Sequence, residues 1–470
     1  MARLISHGTA WLKWGLTLTL ACALPSLSAA ETFQEALVSA YNNNPTLKAE
    51  RARLRETDES YIQARAQGRV SSALVGSIAQ NYARFPVPLP TGGTSTQSVW
   101  ENPAAAQVQI IQPLYQGGRV RALKTQASSG IMAAREALRL AEQNVMMDVA
   151  NAYVSVRRDE ERAQIRRNNV RVLARQELAA RERFDVGEGT LTDISQAEAR
   201  LAASQIGLAQ ADASLAVSRA AYERAVGHPP VDLSDTPDVM LPANLNTAQD
   251  LALANNPQIM AVKYQVMAAE SAIGVAKSAG RPSVSLNANI GGIRNQLSTI
   301  SRADSAEVTA QLRVPLYAGG ANKSRVRQAK QAHIRAGFEA QALDLRIEEA
   351  VAQLWAQLEA AKLSLTSAEV QAKAAEVAFE GVQLEQQVGT RNTLDVLNAE
   401  QEVLNAKLSI IETEHSVDVT TYQLLAVLGA FDAKSLQLPI SLHDPAKNLD
   451  LRKQDGLSKF SDKFMPEMLK

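Results

Sequence analysis

Pro113-Leu114-Tyr115-Gln116-Gly117-Gly118 recurs 202 residues later as Pro315-Leu316-Tyr317-Ala318-Gly319-Gly320. The same offset carries Val186-Gly187 onto Val388-Gly389 and Gly227 onto Gly429. Segments 113–227 and 315–429 thus align without insertion, as rigid elements held in phase require. Upstream, Asn43-Asn44-Pro45 recurs as Asn255-Asn256-Pro257 at an offset of 212. The ten extra residues fall in the first copy, around Phe85-Pro86-Val87-Pro88-Leu89-Pro90-Thr91-Gly92-Gly93. That density of Pro and Gly reads as a loop, at a tip where insertion is tolerated.

Working outward from the repeated hexapeptide, each copy reads helix, strand, loop, strand, long helix, turn, long helix. In the second copy Val284, Leu286, Ala288 and Ile290 interleave with Ser283, Ser285, Asn287 and Asn289. Val308, Ala310, Leu312 and Val314 likewise interleave with Glu307, Thr309, Gln311 and Arg313. The first copy is rougher, with Val108, Ile110 and Leu114 against Gln107 and Gln109. Period two puts apolar side chains on one face and polar ones on the other. A soluble sandwich strand would alternate too, but four strands beside enormous helices are too few for a sandwich. A barrel with lipid outside and water inside explains both faces. Four strands cannot close a useful bore, so several chains must contribute.

The helices after Gly118 and Gly320 run about 65 residues to the Val-Gly turns, roughly 100 Å at 1.5 Å per residue; an interruption midway stays open. The return helices carry heptads. Ile194, Leu201, Leu208, Leu215 and Tyr222 are followed three residues later by Ala197, Ser204, Ala211, Ser218 and Ala225. Val396, Val403, Ile410, Val417 and Leu424 are followed by Ala399, Ala406, Thr413, Thr420 and Val427. A sustained seven-residue period signals coiled-coil packing, and the small residues let helices approach closely.

Lys+Arg and Asp+Glu both number 49 in the 470 residues, which argues against a nucleic-acid binder. Residues 1–30 read as an export signal: Arg3 and Lys13, an apolar run from Trp14 to Leu24, then Ser28-Ala29-Ala30. The sole cysteine, Cys22, lies inside it, so the mature chain has no thiol chemistry; Thr19-Leu20-Ala21 makes a poor lipidation signal before it. Beyond residue 30 no run of about 18 apolar residues appears, which leaves a barrel as the way to span a membrane. The five histidines lack metal-ligand spacing, no phosphate loop follows a strand, and no catalytic constellation or cofactor site stands out.

The order, spacing and repetition of these motifs over roughly 31–430 resemble the TolC family of outer-membrane efflux and secretion channels. The resemblance implies a mixed α/β, mainly α, membrane protein. Three copies, with four strands each, would form a 12-stranded outer-membrane barrel continuous with a long periplasmic α-helical barrel. It divides the chain into signal peptide 1–30, first repeat 31–227, equatorial linker 228–246, second repeat 247–429 and a C-terminal segment 430–470. From about Asp444 the polar, Lys-rich tail is expected to be mobile. The implied partners are two further copies, outer-membrane lipid, a periplasmic adaptor and an inner-membrane ABC or proton-driven pump. Drugs, proteins and metals are all cargo of such channels. The rival reading is a soluble periplasmic coiled-coil adaptor or scaffold.

The two hairpin tips, 184–193 and 386–395, are the candidate sites. Thr190 and Asn392 suit N-caps, each with an aspartate three residues on, Asp193 and Asp395. By resemblance, Arg391 meets the Thr192-Asp193 pair and holds the entrance shut, and Gln386 stands where the family has a latch tyrosine. Asp395 matches the first of two acidic constricting rings, and Asn398 replaces the second. Val186-Gly187 and Val388-Gly389-Thr390 resemble the grooves that receive an adaptor hairpin. A plain cap, a solvated arginine and an unpartnered turn are the competing readings.

Overall fold

The computed structural model describes residues 30–297 and 300–453; the expected signal peptide, Ala30 apart, lies outside them. The first copy contains α1 (Phe33–Asn43), α2 (Pro45–Ala66), β1 (Ser71–Ile78), β2 (Asn81–Pro88), β3 (Thr94–Glu101), β4 (Ala104–Gln116), α3 (Arg119–Asp185) and α4 (Leu191–Val226). The second contains α5 (Leu245–Asn255), α6 (Pro257–Ser278), β5 (Ser283–Leu297), β6 (Ile300–Arg313), α7 (Ala321–Gln387) and α8 (Thr393–Val427).

The Asn-Asn-Pro motif plays the same two-ended role in both copies. Asn44 Oδ1 accepts from Thr46 N, and Asn44 Nδ2 donates to Ala225 O at the end of α4. Asn256 Oδ1 accepts from Gln258 N, and Asn256 Nδ2 donates to Val427 O at the end of α8. One side chain thus caps the start of a short helix and satisfies a carbonyl at the end of a long one. Proline follows at the first helical position, where its missing N–H costs nothing.

Four strands form one antiparallel sheet in the order β1-β4-β5-β6. The register aligns Leu74, Val108, Ile290 and Ala306 across it, with Ser72, Ile110, Ala288 and Val308 in the next row on the same face. Leu74, Ile290, Val308 and Leu312 are exposed on that face. Gln109, Asn289 and Glu307 align on the other.

The loop expected around 85–93 is mostly strand. Asn81–Pro88 pairs with Thr94–Glu101 as a separate hairpin, and only 89–93 turns. Pro86 and Pro88 share the parity whose backbone nitrogens face the unpaired edge, where proline loses no ladder bond.

Helices α3 and α7 each run 67 residues without interruption. α3 pairs with α4, α7 with α8, and the two hairpins join through α3 and α8. The small heptad positions Ala197, Ser204, Ala211, Ser218 and Ala225 are all buried. Leu397, Leu404 and Ile411, one residue after the heptad noted in α8, are buried as a second seam. An aromatic cluster binds the copies together: Phe33 meets Tyr153 edge-on at 5.3 Å and stacks on Tyr422 at 5.0 Å, and Tyr422 tilts onto Phe431 at 5.5 Å. The 228–246 linker lies against it, since Tyr153 Oη is 2.9 Å from Glu31 O and 2.8 Å from Ser234 O. Arg139 of α3 staples the second copy by donating to Asp432, Asn255 O and Gly429 O. Gly429 has to be glycine: its φ is 73°, and a Cβ would sit 2.4 Å from Asn255 O.

The tail is not free as far as residue 453. Residues 447–453 are helical, Leu449 is buried, Asn448 donates to the buried Asp58, and Lys453 O accepts from Arg65. One apolar side chain and paired polar groups dock this turn on α2, a signal too short to show as periodicity. Residues 454–470 lie outside the description.

Candidate functional site: the two hairpin tips

Both long descending helices end in the same motif. At the first tip Glu188 N donates to Arg183 O and Gly187 N to Phe184 O; at the second Thr390 N donates to Glu385 O and Gly389 N to Gln386 O. The glycines take φ of 82° and 79°, the left-handed conformation this helix end needs. Val186 and Val388 are left 72% and 75% exposed, apolar side chains held outward at the apex of each turn.

The return helices start with reciprocal caps. Asp193 N donates to Thr190 Oγ1, while Thr190 N and Oγ1 both donate to Asp193 Oδ2. Asp395 N donates to Asn392 Oδ1, and Asn392 N to Asp395 Oδ2. Both aspartates therefore fill the capping role their spacing suggests, each with a further oxygen for another partner.

Within one protomer Arg391 is not brought to Thr192-Asp193. Its Nε donates to Glu385 Oε2 at 2.8 Å, across the turn of its own hairpin, and both side chains are half exposed. Gln386 Nε2 lies 3.5 Å from Thr393 Oγ1, so it braces its own tip. Asn398 accepts from Arg200 Nη2 at 2.9 Å and ties α8 to α4. Two residues further along α8, Gln176 donates to Glu400, whose carboxyl burial pushes upward while the Gln176 bond opposes. Glu385, Arg200, Gln176 and Glu400 were not legible as site residues, because each acts through an element distant in sequence or across a turn. The one available signal was the second seam at Leu397, Leu404 and Ile411, which marks the face of α8 turned toward the other hairpin.

A short arc of antiparallel sheet carries two coiled-coil hairpins about 100 Å long. No described helix is long and apolar enough to cross a membrane. The outer membrane efflux protein model matches residues 36–228 and 248–430, and the chain belongs to that family. It is 32% identical over 425 residues to outer membrane efflux protein BepC of Brucella suis, covering 89% of this chain and 90% of BepC. The Campylobacter jejuni CmeC outer membrane channel superposes with a TM-score of 0.72 at 16% identity, covering 90% of this chain and 89% of CmeC. The Vibrio cholerae outer membrane protein VceC does so with a TM-score of 0.69 at 21% identity, covering 84% and 96%. The protein is thus an outer-membrane channel of the efflux and secretion class, with the mainly α, internally duplicated fold expected from its sequence.

Proposed function

We propose that three copies form one closed duct, docked by a periplasmic adaptor and an inner-membrane pump, through which cargo leaves the cell. The observation that carries this is the sheet: β1 and β6 are its edges, and among the described residues neither has a partner strand on its outer side. Unpaired edges in a bilayer are costly. An even number of alternating strands lets β6 of one copy meet β1 of the next in antiparallel fashion, and three arcs of four give a twelve-stranded barrel.

The helices support the same closure. Joining α3 to α8 leaves α4 and α7 as the flanks of each protomer. On α7, Leu363, Val370, Val377 and Leu384 stand exposed at seven-residue spacing. On α4, Ala202, Ala209 and Ala216 are exposed at the same spacing. Counted from the tips, Val377 lies level with Ala202, Val370 with Ala209 and Leu363 with Ala216. Large side chains of one copy would seat over small ones of the next.

At the tips, Val186-Gly187 and Val388-Gly389-Thr390 would receive the adaptor. Drawing the hairpins together would let Arg391 exchange Glu385 for Thr192-Asp193 of a facing hairpin, an exposed and therefore releasable latch. Asp395 would supply one ring of three carboxylates, and the Arg200-bonded Asn398 no second ring. The paired cysteines Val377→Cys and Ala202→Cys test the assembly. Oxidation is expected to give covalent trimers on non-reducing gels, and each single variant dimers at most. Only monomers from the pair would overturn it.

A further inference from the structure

We propose that the outward face of the sheet holds a phosphate-bearing acyl lipid of the outer leaflet at a built seat on β1, β4, β5 and β6. The two cross-strand rows beyond Leu74-Val108-Ile290-Ala306 run Gly76-Ala106-Gly292-Asp304 and Ile78-Ala104-Arg294-Arg302. They line a hollow of about 760 Å³. Period two places both rows on the apolar face, the one turned to lipid.

The floor is Gly76, Ala104 and Ala106, three positions without a side chain beyond Cβ. A flat trough of this kind takes an acyl chain by contact. At its β5–β6 side stand two guanidiniums and one carboxylate. Arg302 donates from Nε to both oxygens of Asp304 and pairs with it through Nη2 at 2.8 Å. Asp304 Oδ1 lies over Gly292, only 2.5 Å from where a Cβ would be. Arg294 sits opposite Arg302 in register, and Asp304 is the one carboxylate among the described residues that line the hollow. The described lining, two guanidiniums and one carboxylate, therefore leaves one positive charge in excess per protomer.

Depth decides what that charge meets. From Val284, at the helix end of the sheet, to Arg294 is ten residues, about 34 Å along a strand. A tilt of about 40° reduces this to about 26 Å, the height of a barrel's apolar band, where a lipid-facing arginine costs about 0–1 kcal/mol rather than 2–4. Arg294 and Arg302 thus lie at the headgroup level of the far leaflet, and Arg recognises phosphate with paired N–H groups.

Native mass spectrometry of the purified full chain in neutral detergent tests the seat, with lipid A (a phosphorylated, acylated glucosamine disaccharide) as probe and phosphatidylcholine as control. One retained lipid A per protomer is expected, at least about tenfold tighter than phosphatidylcholine. Arg294→Gln combined with Arg302→Gln and Asp304→Asn should lose about tenfold in apparent affinity. Gly76→Leu fills the trough without touching charge, its Cβ meeting only Ala105 O at 3.9 Å, and should weaken binding about fivefold. Unchanged retention in both variants, equal retention of phosphatidylcholine, or displacement of the lipid by inorganic phosphate would each overturn the proposal.

Discussion

Replacing Arg139 with methionine removes the staple between the copies while keeping the length and apolar stem of the side chain. Three bonds go: 2.7 Å to Asp432 Oδ2, 2.8 Å to Gly429 O and 3.2 Å to Asn255 O. The larger effect is on Asp432, 4% exposed, which keeps the Ser435 amide but loses its cation. Breaking one side of a buried pair costs about 3–5 kcal/mol; because Arg139 is one-third exposed, the lower end applies, about 3 kcal/mol. Hydrogen exchange by mass spectrometry on the assembled channel reads this locally. Amides of the last turn of α8 and of residues 429–438 should exchange about a hundredfold faster, while those at the hairpin tips do not change. An acceleration below about threefold would show that packing of Phe431 and Leu438, rather than the guanidinium, holds the segment. The pH dependence has a definite sign. Burial would raise the Asp432 carboxyl, but the Ser435 amide and Arg139 outweigh it and hold it below the ordinary carboxylate range. A depressed carboxylate stabilises above its unfolded pKa, and that contribution is lost as pH falls through the folded value. Wild-type protection of 429–438 should therefore persist through mildly acidic pH and fail only in strong acid.

Three further outcomes follow from the same geometry. Asn256→Ala removes a cap and orphans Val427 O, an expected loss of about 2 kcal/mol seen as a lower temperature for loss of helicity; Asn256→Asp should recover the cap but not the donor. Glu142 is pushed up to about 7 by burial, with Arg51 opposing, so it stabilises below its unfolded pKa and that contribution disappears as pH rises toward 7; exchange around Glu142 in Glu142→Gln should vary less with pH between about 4.5 and 7 than in the wild type. If Asp395 forms the one acidic ring, Asp395→Asn should raise the divalent cation concentration that half-blocks single-channel conductance about tenfold, and unchanged block would reject the ring.

The sequence by itself determined the duplication, the two-faced strands, the length of the helices and the placement of both tips. Each is a local or periodic property: repeat offset, period two, period seven, and Val-Gly followed by a capping pair. The Asn-Asn-Pro motif was legible only as a landmark of the repeat, and its capping of α2 and α6 came from the structure. Only the tertiary structure decided the rest. It showed that Asn44 and Asn256 also hold the ends of α4 and α8, and that Arg139 reaches across to Asp432. It also showed that Arg391 rests on Glu385 and Asn398 on Arg200, and that 447–453 is docked on α2. These contacts join residues far apart in the chain or on opposite sides of a turn, and each rests on one or two side chains, which leave no periodicity to read. The prolines of β2 misled for the opposite reason. Their local meaning is a breaker, and only the pairing with β3 alone, which leaves one edge free, makes a strand the better place for them.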